Sequence, residues 1–195
     1  MSRKNSHTTS DALQWNDALN LIHRLYRDGN YRLSLLVGSG CFFGLRISDL
    51  LTLKWSMLLN GNTFELHEKK TGKYRQVKIN RDFQRHIRDC YEALHIVNPD
   101  EYCFISSKKM VFSTQRINVL LKEMKERYHL KIDNFSTHTL RKTFGRKVVE
   151  MAGENAEVAL IKLMELFNHS SLAITKRYLG LRQEELLETY DLLDF

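Results

Sequence analysis

Proline occurs once in 195 residues, at Pro99, so helical hydrogen-bond ladders can run through most of this chain without losing a donor. Apolar residues bear this out by recurring at helical spacing. Leu13, Leu19, Ile22 and Tyr26 predict a helix from a cap at Ser10 to about Arg27. A second, Tyr31 to Phe43, stops at Gly44, and a third over Arg46–Leu53 turns Ile47, Leu50, Leu51 and Leu53 inward. Further helices are expected over Arg81–His95, from a Ser113 cap to Tyr128, and over Thr137–Met151, Glu157–Phe167, Ser171–Tyr178 and Gln183–Leu193. One stretch breaks the pattern. TFELHE and YRQVKI are rich in β-forming residues and flank KKTGK, where Gly72 suits a tight turn, so a β-hairpin with a basic tip is expected. Tyr102–Ser106 is a further short strand candidate. Hydrophobic residues make up 43% of the chain, enough for one folded core. The expected architecture is a mainly α domain with a small antiparallel β-sheet (α+β) spanning residues 10–195. Residues 1–9 read as a flexible leader and 182–195 as a C-terminal helical tail.

The formal net charge is +7, and it is unevenly spread. The tail holds one basic residue, Arg182, against Glu184, Glu185, Glu188, Asp191 and Asp194, so the rest of the chain is more basic than the total suggests. A polyanionic partner, nucleic acid first, is expected. Cys41, Cys90 and Cys103 form no metal-ligand spacing and read as buried reduced thiols, which suits the cytoplasm. The polar start MSRKNSHTTSD is no signal peptide, and no apolar run approaches the roughly 18 residues a membrane span needs.

Chemistry gathers in a few polar clusters. Arg46, in GLRISDLLTLKW, opens a helix just after Gly44, a place suited to phosphate, with Asp49 on the same face to hold it. His138 and Arg141, in HTLRKTF, are three apart and share a helix face, with Lys142 beside them, while Leu140 and Phe144 point to the core. His169 and Tyr178 lie in NHSSLAITKRYLG; Met164 and Phe167 before them read as core. Taken singly, each cluster is better explained as a surface ion pair, a packed histidine or a half-buried tyrosine. The ordered set is another matter.

In order, R…K…HxxR…H…Y resembles the catalytic signature of the tyrosine recombinase family, which includes phage and conjugative-element integrases. GLRISDLLTLKW, KKTGKYRQVKI, HTLRKTF and NHSSLAITKRYLG are all similar to the family's boxes, and the resemblance runs from about Asp11 to Leu193. It implies that Arg46 and Arg141 grip the non-bridging oxygens of a DNA phosphate and that His138 assists proton transfer. It also implies that His169 hydrogen-bonds the phosphate and that Lys70, directly before the TGK turn, protonates the departing 5′ oxygen. Tyr178 is then the nucleophile. These groups meet the phosphate's charge without a metal or other cofactor. Double-stranded DNA is the implied partner, with Lys69, Lys73, Arg75, Lys142 and Lys147 as candidate DNA contacts and Lys108–Lys109 as further basic groups. The family implies a homo-oligomer, a tetramer on DNA, docked through the C-terminal tail; covering its own core is the tail's alternative role.

The sequence departs from the family pattern at three points. Members usually carry a helical core-binding domain ahead of the catalytic one, whereas here the first expected helix already begins at Ser10. The sequence is therefore expected to be the catalytic domain alone, either excised or naturally short. Asn168 stands where a glycine commonly precedes the second histidine, and the stretch from Arg141 to His169 is longer than usual. Strand exchange is the leading function. Type IB topoisomerase-like relaxation and a non-catalytic DNA-binding regulator are the alternatives.

Overall fold

A computed structural model describes residues 11–181. The leader, the Ser10 cap and the 182–195 tail, on which the docking expectation rests, lie outside the described residues. Those described form helices α1 (Trp15–Arg27), α2 (Tyr31–Phe43), α3 (Ile47–Leu50) and α4 (Trp55–Leu59), then strands β1 (Thr63–His67) and β2 (Tyr74–Lys78). Helices α5 (Arg81–Ala93), α6 (Thr114–Arg127), α7 (Thr137–Ala152), α8 (Ala156–Phe167) and α9 (Leu172–Leu179) follow, with a 3-10 turn, Gly153–Asn155, between α7 and α8. The α+β expectation is met by this mostly helical fold with one two-stranded antiparallel sheet, in which Phe64 faces Val77 and His67 faces Tyr74. No helix among the described residues is long and apolar enough to cross a membrane.

Helix α2 explains the layout. It is apolar all round because it is wrapped on all sides, and Leu35, Leu36, Val37 and Cys41 are at most 1% exposed. Helices α1, α5 and α7 pack around it. Close approach by α7 requires Gly40, since a Cβ there would lie 2.6 Å from the Leu140 Cβ. A smaller cluster of Leu160, Leu163, Phe167 and Leu179 joins α7, α8 and α9. The candidate site lies along the seam between this cluster and the main core.

Several boundaries differ from expectation, each for a local reason. α1 starts at Trp15 because residues 11–14 run extended, tied by the Leu13 N–H to Thr143 Oγ1 (2.9 Å) and by Asp11 to Asn134. α3 ends at Leu50 because the next residues turn to meet the chain near Tyr102: Leu53 O accepts from the Cys103 N–H and Lys54 bridges Tyr102. Helix α4 then packs a fully buried Trp55, a helix that the apolar pattern did not suggest. Tyr102–Ser106 is not a strand; it makes isolated bridges to Lys54 and, through Ile105, to Val111. α5 ends at Ala93 rather than His95, whose positive φ lies outside helical geometry.

Candidate active site

Each site residue sits where an element begins or ends. Gly44 closes α2 with φ +57°, which turns the chain so that Arg46 caps α3. Ser136 caps α7 with a capping box, setting His138 and Arg141 on the first turns of that helix. Asn168 closes α8 in the left-handed region and Ser171 caps α9, which places His169 in the connection and Tyr178 near the end of α9. The hairpin brings in Lys70. A cleft of about 440 Å³ results, and its walls include Arg46, Lys70, His138, Arg141, His169 and Tyr178.

The two arginines converge on one backbone oxygen. Arg46 Nη2 donates to Phe167 O at 2.9 Å and Arg141 Nη2 donates to the same oxygen at 3.2 Å. Arg141 Nη1 also donates to Gly44 O at 2.6 Å, and its guanidinium carbon stands 4.1 Å from the Phe167 ring centre. Arg141 is 4% exposed, and burial, with the charges of Arg46 and Arg75, lowers its pKa to about 10. It still carries its charge at neutral pH. Paired guanidiniums with inward N–H groups already satisfied are rigid, charged plates suited to an oxyanion.

Tyr178 Oη lies 3.5 Å from His138 Nδ1, and its ring packs edge-on against Phe167 and His169. Burial raises the phenol's pKa, and the nearby Arg141 and Arg46 guanidiniums oppose that rise. Withdrawal from water in the cleft holds His138 below the usual imidazole range, reinforced by Arg141, Lys142, Arg46 and Lys70. His169 is lowered by burial, then by Arg141 and Arg46. At neutral pH the tyrosine therefore keeps its proton and faces a neutral imidazole able to accept it. His169 is oriented through Nδ1 by the fully buried Thr175 hydroxyl at 3.1 Å, which leaves Nε2 for the cleft.

A family model described as the phage integrase family matches residues 12–185. The chain belongs to this family. A probable integrase/recombinase, YoeC of Bacillus subtilis (strain 168), is 30% identical over 148 residues, covering 75% of this chain and 76% of that protein. Crystal structures of XerA recombinase and of XerH site-specific recombinase bound to its palindromic difH substrate share the fold. XerA gives a TM-score of 0.72 at 21% identity, over 100% of this chain and 68% of its own. XerH gives 0.67 at 18%, over 98% of this chain and 55% of its own, so the chain spans little more than half of that recombinase. Phage integrase family members of this kind are tyrosine-type site-specific recombinases, which fits the residue types in the cleft.

Within this phage integrase fold, some expected contacts are redirected. Asp49 does not hold Arg46; it is 1% exposed and accepts from the Lys69 backbone N–H at 2.9 Å. Glu68 takes that role, at 2.7 Å from Arg46 Nη1. Arg75, expected to face DNA, points inward instead, donating to Glu68, Leu166 O and Phe43 O. Lys142 is 7% exposed, with its ammonium 5.3 Å from the Tyr178 ring centre, so it backs the tyrosine rather than facing outward. Lys147 pairs with Glu150 at 2.7 Å and lies over Trp15. Six positions from Arg141, it is rotated about 240° around α7, away from the cleft face. Lys69 and Lys73 are exposed at the hairpin tip, outside the cleft wall that Lys70 forms, and Lys73 Nζ donates to Asn168 Oδ1 at 2.8 Å.

The residues that sequence reasoning missed are Glu68 and Thr175, with the Phe167 carbonyl and the Asn168 side chain. Glu68 had a readable signal. It continues the inward phase of Phe64 and Leu66, so a carboxylate was headed for the buried face. Among the described residues, no three His, Cys, Asp or Glu side chains are grouped to hold a metal ion.

Proposed function

We propose that this domain cleaves and rejoins double-stranded DNA through a covalent 3′-phosphotyrosyl intermediate, as the catalytic part of a site-specific recombinase or integrase. The observation that carries the reading is the convergence of Arg46, Lys70, His138, Arg141, His169 and Tyr178 on one cleft. DNA-bound XerH, with the same fold, supports the substrate class. A free tyrosine is only about one part in a thousand ionised at pH 7. Tyr178 Oη passes its proton to His138 as it attacks phosphorus. The new O–P bond forms as the P–O5′ bond breaks, and Lys70 supplies the proton that makes the 5′ oxygen a hydroxyl. Arg46 and Arg141 hold the non-bridging oxygens, joined by His169 in the tautomer that carries its proton on Nε2; fixed donors of this kind are worth about 3 kcal/mol each in the transition state. Because the ester bond is conserved, another 5′ hydroxyl can reverse the step without ATP, and the cationic side chains do the electrostatic work without a metal ion. Lys69 and Lys73 contact flanking phosphates, and exchange between two sites needs several protomers on one DNA assembly.

The test uses a pool of nicked suicide duplexes with randomised sequence around the nick. The chain is expected to yield a denaturant-resistant protein–DNA complex, insensitive to excess chelator, whose captured DNA reports the preferred site. Tyr178→Phe abolishes it, and Arg141→Lys lowers its yield about a hundredfold. Lack of any such complex with the unaltered chain would leave a DNA-binding regulator as the better reading.

A further inference from the structure

We propose that Glu68 and Asn168 form a clasp that sets the Lys70 hairpin against the His169 turn, making both of them positioning residues for proton delivery to the leaving oxygen. The inference deepens the cleavage reading and rests on it. Glu68 is 1% exposed and collects partners from three separate segments. Arg46 donates to it from the start of α3, Thr71 and Arg75 from the hairpin, and Asn168 from the end of α8. Burial alone raises the pKa of this carboxyl, but the bonds from Thr71, Arg46 and Arg75 and the charge of Arg46 more than reverse that, so it stays ionised.

Asn168 is the other half. Its φ of +53° is a conformation that glycine meets without strain, so the backbone alone does not call for asparagine. The side chain does something glycine cannot. Nδ2 donates to Glu68 Oε2 at 2.8 Å, while Oδ1 accepts from Lys73 Nζ at 2.8 Å. One amide thus grips the hairpin tip on both sides of Lys70. The hairpin is only two strands, and apart from Glu68 its tip from Lys69 to Lys73 is exposed. Two strands alone hold position poorly. Loosening the grip lets Lys70 wander by an ångström or so, which costs a reaction roughly a hundredfold in rate when the group moved takes part in it.

The experiment compares the full chain and its variants on a duplex selected as above and on the same duplex with sulfur in place of the 5′-bridging oxygen. A thiolate leaves without needing a proton, since thiols ionise near pH 8.5. Asn168→Gly, which suits the left-handed backbone, is expected to slow cleavage of the oxygen duplex between roughly tenfold and a hundredfold. Most of that loss should vanish on the sulfur duplex, as for Lys70→Ala, while Arg141→Lys stays slow on both. Glu68→Gln, which keeps the side chain's size, is expected to be restored by sulfur only in part, because Glu68 also holds Arg46. A loss equal on both duplexes, or no loss on oxygen, overturns the clasp. If Lys70→Ala is itself not restored by sulfur, the acid assignment falls and the clasp falls with it. If Lys70→Ala is restored and Asn168→Gly is not, the clasp alone is wrong.

Discussion

Phe167 serves the site chiefly through its main chain, because its carbonyl oxygen is the shared acceptor that holds Arg46 and Arg141 side by side. No residue-type pattern announces a backbone oxygen, which is why the arginines were legible in the sequence and their anchor was not. Arg46, His138, Arg141 and Tyr178 could be read because the ionic and aromatic groups themselves form the pattern. Arg75 and Lys142 misled for the opposite reason: a cation in a basic stretch looks like a DNA contact until packing turns it inward. Titration belongs to this scale as well. His138, His169 and the partly buried His86 all have folded pKa values below the unfolded value near 6.5, with withdrawal from water the leading cause in each. Below that pH the unfolded chain binds protons more readily than the folded one. The stability these groups contribute is therefore fully present above about pH 6.5 and is lost as pH falls through the folded values. Melting temperatures recorded from pH 7.5 to 5 should decline on the acid side. The decline should be shallower in a His138→Gln, His169→Gln double variant; an identical decline would remove these imidazoles as its source.

Elements place the site by how they stop. Gly44 ends α2 at φ +57°, and its carbonyl takes Arg141 Nη1 at 2.6 Å. A Cβ at Gly44 would also press into the Phe144 ring. Gly44→Ala should therefore destabilise the domain by about 2 kcal/mol or more, measured by chemical denaturation. It should also slow DNA cleavage beyond what the lost folded fraction explains, because the Arg141 acceptor moves. Wild-type cleavage by the folded fraction would show that this carbonyl does not position the arginine. Helix identities were legible wherever apolar periodicity ran long, as in α5, α6 and α7. They failed over 51–59, where Leu53 and Lys54 break off to meet the chain at Tyr102 and Cys103, a long-range contact with no local signature. Asn168, where the resemblance leads one to expect a glycine, became intelligible only with its positive φ and the two bonds its amide makes.

Across the whole molecule, the site is a seam. α2, α3 and the hairpin belong to the main core, α8 and α9 belong to the smaller cluster, and α7 spans both, carrying His138 and Arg141. With Tyr178 on the smaller side, Arg46 on the larger and Arg141 on the helix between them, the proposed chemistry depends on the two parts being docked. The fold class was legible because a nearly proline-free, periodic chain with one hairpin has few ways to bury its apolar faces. How the parts dock was not, since the docking rests on Glu68, on Arg75 and on backbone oxygens. In the proposed reaction Tyr178 becomes covalently joined to the 3′ end of a cleaved strand. That step is tested most directly by digesting the trapped protein–DNA complex and identifying the modified peptide by mass spectrometry. A single nucleotide-bearing residue is expected, Tyr178, linked through the 3′ phosphate, with a free 5′ hydroxyl on the departing strand. A linkage at any other residue, or through a 5′ phosphate, would contradict it.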